Sequence, residues 1–272
     1  MTVNSYLTNL ASRAILRDDE KVSVLRSITT LQSRIALHFG SQVGQHFVFG
    51  SYSRDTILPR TMDPQSDVDY LVTFSDALLQ PQSYLDRLRR FAEMKYPLSE
   101  VAQSHPTVVL ELSHLRFELV PAMNSILYGM QIPNTESNYA RWQQTDPTGF
   151  NDRLTRANQA NGNLIKPLAR VMKYWNARAG YPFESFALEQ KVAGYGYALF
   201  GALGPRQIGD MFYQITAACD AGFLAPQWKR DAVARLKQLG GQARTQERSG
   251  NVIQAEATIK RLLPPVVGWL GV

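Results

Sequence analysis

Cysteine is nearly absent. Cys219 is the single example in 272 residues, which excludes a disulfide framework and a cysteine-based zinc site. The four histidines, at 38, 46, 105 and 114, have no close metal-ligand spacing either. Long apolar runs are missing too. The longest, around 195–203, is interrupted by glycine and falls well short of the roughly 20 residues a bilayer-spanning helix needs. The opening MTVNSYLTNLASRAILRDDE lacks a basic stretch followed by an apolar one, so no secretory leader and no membrane partner are expected. Charged residues are only 19% of the chain and hydrophobic residues 44%, which excludes a disordered polyelectrolyte and allows an ordinary core. A soluble protein of a reducing compartment is the expectation.

Charge is present but unevenly placed. Residues 1–150 hold 13 basic and 15 acidic residues, whereas residues 151–272 hold 16 basic and 8 acidic within a net charge of +6. An acidic half joined to a basic half fits carboxylates for metal on one side and cations for phosphate on the other; undirected drift of surface charge gives the same numbers.

Periodicity also changes along the chain. Val22, Leu25, Ile28, Leu31, Ile35 and Phe39 recur at helical spacing, which predicts one long helix ending near Gly40. Residues 46–49 read as a short strand running into Gly50-Ser51, and 52–66 as a loop. A strand is predicted over 68–74 and a helix over 81–96, with Tyr84, Leu88 and Phe91 on one face. Two further strands are predicted over 107–112 and 115–120, the second stopped by Pro121, and then a loop-rich stretch over 129–152. Leu164, Ile165, Leu168, Val171, Met172 and Trp175 trace a strong helical face, with Pro167 in the first turn and Gly180 at the end. Helices follow over 186–199, 207–219, 227–239 and 253–263. Strands in the first half and helices in the second give an α+β layout, with expected domains 1–155 and 156–272.

The segment FGSYSRDTILPRTMDPQSDVDYLVTF carries the chemistry. A strand ends in Gly50-Ser51, where glycine allows a phosphate close to the backbone and serine offers a hydroxyl and an N–H. Further on, Asp67-Val68-Asp69 opens the next strand. Residues two apart on a strand share a face, so Asp67 and Asp69 lie side by side while Val68 points to the core. Two like charges at that distance need a cation, and hard oxygen donors favour Mg²⁺ or Mn²⁺. A lone D-x-D is common on exposed strands; G-S followed by a loop and D-x-D is much more specific. Phosphoryl transfer with two metal ions requires a third carboxylate. Glu118 in LRFELVPA, between apolar Phe117 and Leu119, is the candidate, and Glu111 competes by the same argument.

GSYSRDT, SDVD, FELVPA, VMKYWN and FESFALE, in this order over about residues 20–200, resemble nucleotidyltransferases of the polymerase-β-like superfamily. More closely, they resemble the CD-NTases, bacterial relatives of cyclic GMP–AMP synthase and oligoadenylate synthase that act in anti-phage signalling. The resemblance implies an α+β architecture: a nucleotidyltransferase sheet domain packed on a C-terminal helical, oligoadenylate-synthase-like lobe, with a long N-terminal helix. It implies a cytoplasmic enzyme that joins NTPs into a cyclic di- or trinucleotide and releases pyrophosphate. Asp67, Asp69 and Glu118 would hold two Mg²⁺ or Mn²⁺ ions, with Glu118 nearest the attacking ribose hydroxyl. Gly50 and Ser51 would hold the incoming triphosphate. Lys173 and Ser185 match a triphosphate-binding pair, and Phe186 a base-stacking aromatic. Relatives often carry Asp in place of Glu118, and the loop from G-S to D-x-D is longer than usual here.

Bland alternatives exist for each downstream residue. A helical lysine commonly snorkels, a phenylalanine beside an apolar run commonly packs in the core, and an exposed loop arginine is the commoner reading of Arg54. Asn161 and Asn163 sit where some relatives read a pyrimidine edge, but asparagine serves equally as a helix N-cap. Tyr174 and Trp175 are expected to pack. Two other functions compete: a linear oligonucleotide or terminal nucleotidyltransferase, and a catalytically silent nucleotide- or RNA-binding module. Residues 226–262, with eight Lys/Arg against three acids, are an expected partner-facing surface. Without clustered Cys and His, zinc-dependent DNA sensing is not expected.

Overall fold

The computed structural model describes residues 1–76, 79–104, 106–125, 127–134, 141–197 and 206–266. In chain order the helices are α1 (Val3–Arg13), α2 (Asp18–Phe39), the single turn α3 (Gly50–Ser53), α4 (Pro81–Lys95), α5 (Gly149–Ala160), α6 (Ile165–Arg178), α7 (Ser185–Gly194), α8 (Ile208–Ala218), α9 (Gln227–Arg248) and α10 (Val252–Lys260). The strands are β1 (Val43–Val48), β2 (Val68–Phe74), β3 (Glu100–Ser104), β4 (Thr107–Glu111), β5 (Arg116–Ser125), β6 (Gly129–Pro133) and β7 (Trp142–Gln144).

Two compact units divide the chain. One comprises Arg17–Asp55 and Gln65–Phe150; the other comprises Met1–Leu16, Thr56–Pro64 and Asn151–Val272. This differs from a single cut at 155/156, and the reason is packing. The first helix carries an apolar stripe of Val3, Tyr6, Leu7, Leu10 and Ala11. That stripe packs on α6, α8 and α10. Tyr6 donates its hydroxyl to the Leu263 carbonyl at 2.5 Å, and Asn4 accepts from the Gly209 N–H at 3.2 Å.

The first unit is a mixed sheet in the order β1-β2-β5-β4-β3, with β6 joining β5 and β7 joining β6. Strands β2 and β5 run parallel at its centre, and the other pairs are antiparallel. Every β2 residue but Asp69 is buried, as expected of a central strand covered on both faces. Strand β5 does not stop at Pro121. Its β4 partners run to Leu119 and its β6 partners begin at Met123, so the proline falls between them, where its missing N–H breaks no pairing on that edge. The predicted loop over 129–152 contains β6, β7 and the start of α5, and β3 also escaped sequence reading.

In α2 the buried residues are Val24, Ile28, Leu31, Ile35 and Phe39, whereas Val22 and Leu25 are each 58% exposed. Successive steps of three lag behind a 3.6-residue turn, so a face traced back from Ile28 by threes drifts into solvent; steps of three and four stay on it.

The second unit is helical. Helix α6 ends as its sequence predicts, with Gly180 at φ +79° beyond the last turn. Tyr174 and Trp175 on it are buried, in the packing role expected of them. Helix α9 extends to Arg248, nine residues past the predicted end at 239. Of the helix predicted over 186–199, α7 covers the part to Gly194, and 198–199 lie outside the described residues.

Candidate active site

The acidic cluster is built by sheet register. Asp69 stands directly opposite Glu118 across the parallel β2–β5 pair, and Asp67 precedes β2 by one residue. Val68, between the two aspartates, is fully buried, which turns both carboxylates to the opposite face. The register also separates the two glutamates. Glu111 lies opposite Arg116 on β4, so Glu118 is the one that meets the aspartate pair.

The electrostatics follow from crowding. Burial pushes the Asp67 carboxyl up to about 8, and the negative charges of Asp69 and Glu118 and a hydrogen bond with Glu118 push the same way. The Arg116 guanidinium opposes them. Glu118 accepts from Thr107 Oγ1 at 3.3 Å and from Arg116 Nη2 at 3.0 Å. Among the described residues, no three His, Cys, Asp or Glu side chains already stand in a metal-ligating arrangement. One oxygen of Glu118 is instead held by Arg116.

Gly50 completes this region for a steric reason. Its φ is +70°, and a Cβ there would lie 1.8 Å from Asp69 Oδ2. Only glycine allows the turn to lie directly against that carboxylate. The Phe49 N–H donates to the Asp69 carbonyl at 3.1 Å and fixes the approach. Ser51 follows on α3 and is half-buried. Arg54 is not an exposed loop arginine: it is 6% exposed, and its guanidinium lies 5.4 Å from the centre of the Phe150 ring.

The remaining candidates belong to the helical unit. Lys173 on α6 is 6% exposed, which rules out a snorkelling surface lysine, and its Nζ donates to the Thr56 carbonyl at 3.0 Å. The Thr56 hydroxyl donates to Glu189 Oε1 at 2.5 Å, and Tyr181 donates to Asp63 at 2.6 Å. The segment 56–64, part of the long loop between G-S and D-x-D, is thus pinned at both ends by polar contacts within this unit. Ser185 is the exposed first residue of α7. Phe186 is 46% exposed, so it is not a core phenylalanine. Asn163 is not an N-cap. It sits at φ +62° before the cap residue Leu164, and its Oδ1 accepts from Asn158 Nδ2 at 3.1 Å. Asn158 is the residue that caps α6, by accepting the Lys166 N–H at 3.0 Å. Asn161 turns back to the Ala157 carbonyl at 2.8 Å.

Gly50, Ser51, Asp67, Asp69 and Glu118 therefore lie in the sheet unit, and Lys173, Ser185, Phe186 and Asn163 in the helical unit. Sequence reasoning missed Arg116, Thr107 and Glu189. Arg116 carried a signal, since R-F-E places it two residues from Glu118 on the same strand face. Thr107 and Glu189 act through long-range contacts and carried none.

The fold is that of solved CD-NTases. Escherichia coli MS115-1 CdnC, solved with ATP, matches with a TM-score of 0.69 at 16% identity, over 98% of this chain and 99% of that one. Vibrio cholerae DncV, solved with 3'-deoxy GTP, matches with a TM-score of 0.69 at 12% identity, over 98% and 96%. The model of the Second Messenger Oligonucleotide or Dinucleotide Synthetase (SMODS) domain matches residues 1–158, and the chain belongs to this family. A Bacillus cereus (strain VD146) protein described as a probable cyclic nucleotide synthase is 24% identical over 254 residues, 76% of this chain and 75% of its own length. The chain is accordingly a nucleotidyltransferase, as the motifs led us to expect. Among the described residues no helix is long and apolar enough to cross a membrane.

Proposed function

We propose that this enzyme joins two or three nucleoside triphosphates into a cyclic oligonucleotide, with divalent metal bound at Asp67, Asp69 and Glu118. The observation that carries the reading is the register of Asp69 against Glu118 with Asp67 beside them, where burial, and after it the two neighbouring carboxylates, lifts the Asp67 carboxyl to about 8. Three hard, mutually repelling oxygen donors fit Mg²⁺ or Mn²⁺ by their chemistry. Bound there, two such ions would ease deprotonation of the attacking hydroxyl and neutralise the triphosphate.

The chain's own groups take the other roles. Glu118 receives the proton of a ribose hydroxyl whose oxygen bonds to the α-phosphorus, while the bond to pyrophosphate breaks. The Gly50-Ser51 turn offers N–H and hydroxyl donors to the triphosphate. In the helical unit, Lys173 and Ser185 are the proposed triphosphate-binding pair, Phe186 the base-stacking aromatic and Asn163 the reader of a base edge. Each nucleotide acts once as donor and once as acceptor, so the linear intermediate turns over in one site. Anti-phage signalling is the proposed cellular role, and the basic exposed residues of α9 the proposed partner-facing surface.

The experiment is incubation with pairs of radiolabelled NTPs and Mg²⁺ or Mn²⁺, then phosphatase and chromatography. ATP and GTP come first, because both appear with the solved relatives. A phosphatase-resistant product is expected. A phosphatase-sensitive ladder would establish a linear polymerase instead.

A further inference from the structure

One cation already sits in the acidic cluster. Arg116 lies two residues before Glu118 on β5, so the two side chains share a face. Its Nη2 is 3.0 Å from Glu118 Oε1, and the two side chains are 25% and 20% exposed. Its Nε is buried with no hydrogen-bond partner among the described residues. A guanidinium held there by an ion pair, with a buried donor unsatisfied, is kept by the negative charge of the cluster.

We propose that Arg116 is the resident counter-ion of the acidic cluster, a positioning residue that holds Glu118 until a divalent cation displaces it. Two consequences follow. A metal ion that takes Glu118 Oε1 must break the 3.0 Å pair and then stand close to a fixed positive charge. Uptake of bare metal is therefore disfavoured. A triphosphate adds several negative charges, and these shift the balance toward metal. Arg116 thus couples metal binding to nucleotide binding, and the metal stays with the enzyme chiefly when NTP is present. Arginine suits this role because its planar fork fits a carboxylate.

The inference rests on the metal-dependent reading, and the test separates the two. Mn²⁺ binding to the full chain is measured by electron paramagnetic resonance, first alone and then with a non-hydrolysable ATP analogue. For Arg116→Gln we expect Mn²⁺ alone to bind about tenfold tighter or more, because one positive charge near the ion is gone. We also expect the gain from adding the analogue to shrink. Arg116→Lys keeps the charge but loses the fork, so its affinity should stay within a few-fold of wild type. A purely structural arginine predicts the opposite sign, weaker binding in the Gln variant. Unchanged or weaker binding in Arg116→Gln overturns the proposal. If that variant does not fold, Arg116→Lys decides alone: a tenfold change in either direction overturns the counter-ion account. Wild-type protein that takes up no Mn²⁺ even with the analogue overturns the metal-dependent reading itself, and the inference with it.

Discussion

The sheet unit and the helical unit hold their candidate residues by different means. In the sheet unit, position is set by the backbone: two aspartates with one residue between them, and one strand register that brings Glu118 opposite Asp69. In the helical unit, position is set by side chains reaching across sequence. Lys173 is tied to Thr56, and Thr56 to Glu189, over separations of 117 and 133 residues. Backbone placement is rigid and tolerates changes in surrounding side chains. Side-chain placement fails when one member is lost, because a buried polar group is then left without its partner.

The largest expected effect tests the backbone-set cluster directly. Asp67→Ala combined with Asp69→Ala should reduce nucleotide joining to background while far-UV circular dichroism stays native. Retained turnover would remove the cluster from the chemistry.

Gly50→Ala sharpens the same point, with Gly129→Ala as its control. Both glycines have positive φ, at +70° and +67°, but a Cβ meets Asp69 only at Gly50 and open space at Gly129. Each variant should lose about 1–2 kcal/mol of stability from the left-handed backbone. Only Gly50→Ala should also lose most of its activity. Equal activity in the two variants would separate the turn from the acidic cluster.

Within the helical unit, Thr56→Val leaves Glu189, 1% exposed, without the hydroxyl it accepts from. A cost of about 1–3 kcal/mol is expected in denaturant unfolding, together with weaker triphosphate binding. A silent variant would show that the side-chain tie does not hold the segment 56–64.

The pH dependence distinguishes the units again. The Asp67 carboxyl is raised in the folded protein, to about 8 from 3.8, so the folded state binds the proton more tightly than the unfolded state does. Its contribution is fully present below about pH 4 and is lost as pH rises through about 8. In metal-free protein the Tm should fall over that window, and Asp67→Asn should flatten the fall. An equal slope in the variant would place its origin elsewhere. The smallest effect is at the α6 cap: Asn158→Ala should cost about 1 kcal/mol of stability. A loss of turnover larger than the loss of stability would give Asn158 a role beyond capping.

Much of the sheet unit was legible because its signals are local. The run of β-branched and aromatic residues over Val68–Phe74, the D-x-D that opens it and the helical face of Tyr84, Leu88 and Phe91 all depend on neighbours within a few residues. Strands β3, β6 and β7 were not legible, since short strands with exposed residues lack a strong apolar pattern. Asn163 was read for its position near a helix start, but which asparagine caps α6 depends on how the preceding turn folds. Lys173 could be named from its motif, whereas its burial could not, because burial is contributed by elements far along the chain.

Composition and periodicity by themselves determined the α+β class, the long second helix, the D-x-D pair and the change from strands to helices near residue 150. The tertiary structure alone decided three things. It assigned the N-terminal helix to the helical unit, because an apolar stripe specifies that it be buried but not against what. It set Glu118, not Glu111, opposite Asp69, because strand order and register are set by pairing between segments that do not adjoin in sequence. It placed Arg116 on Glu118, because the partner of a charge is decided by which opposite charge the fold leaves within reach.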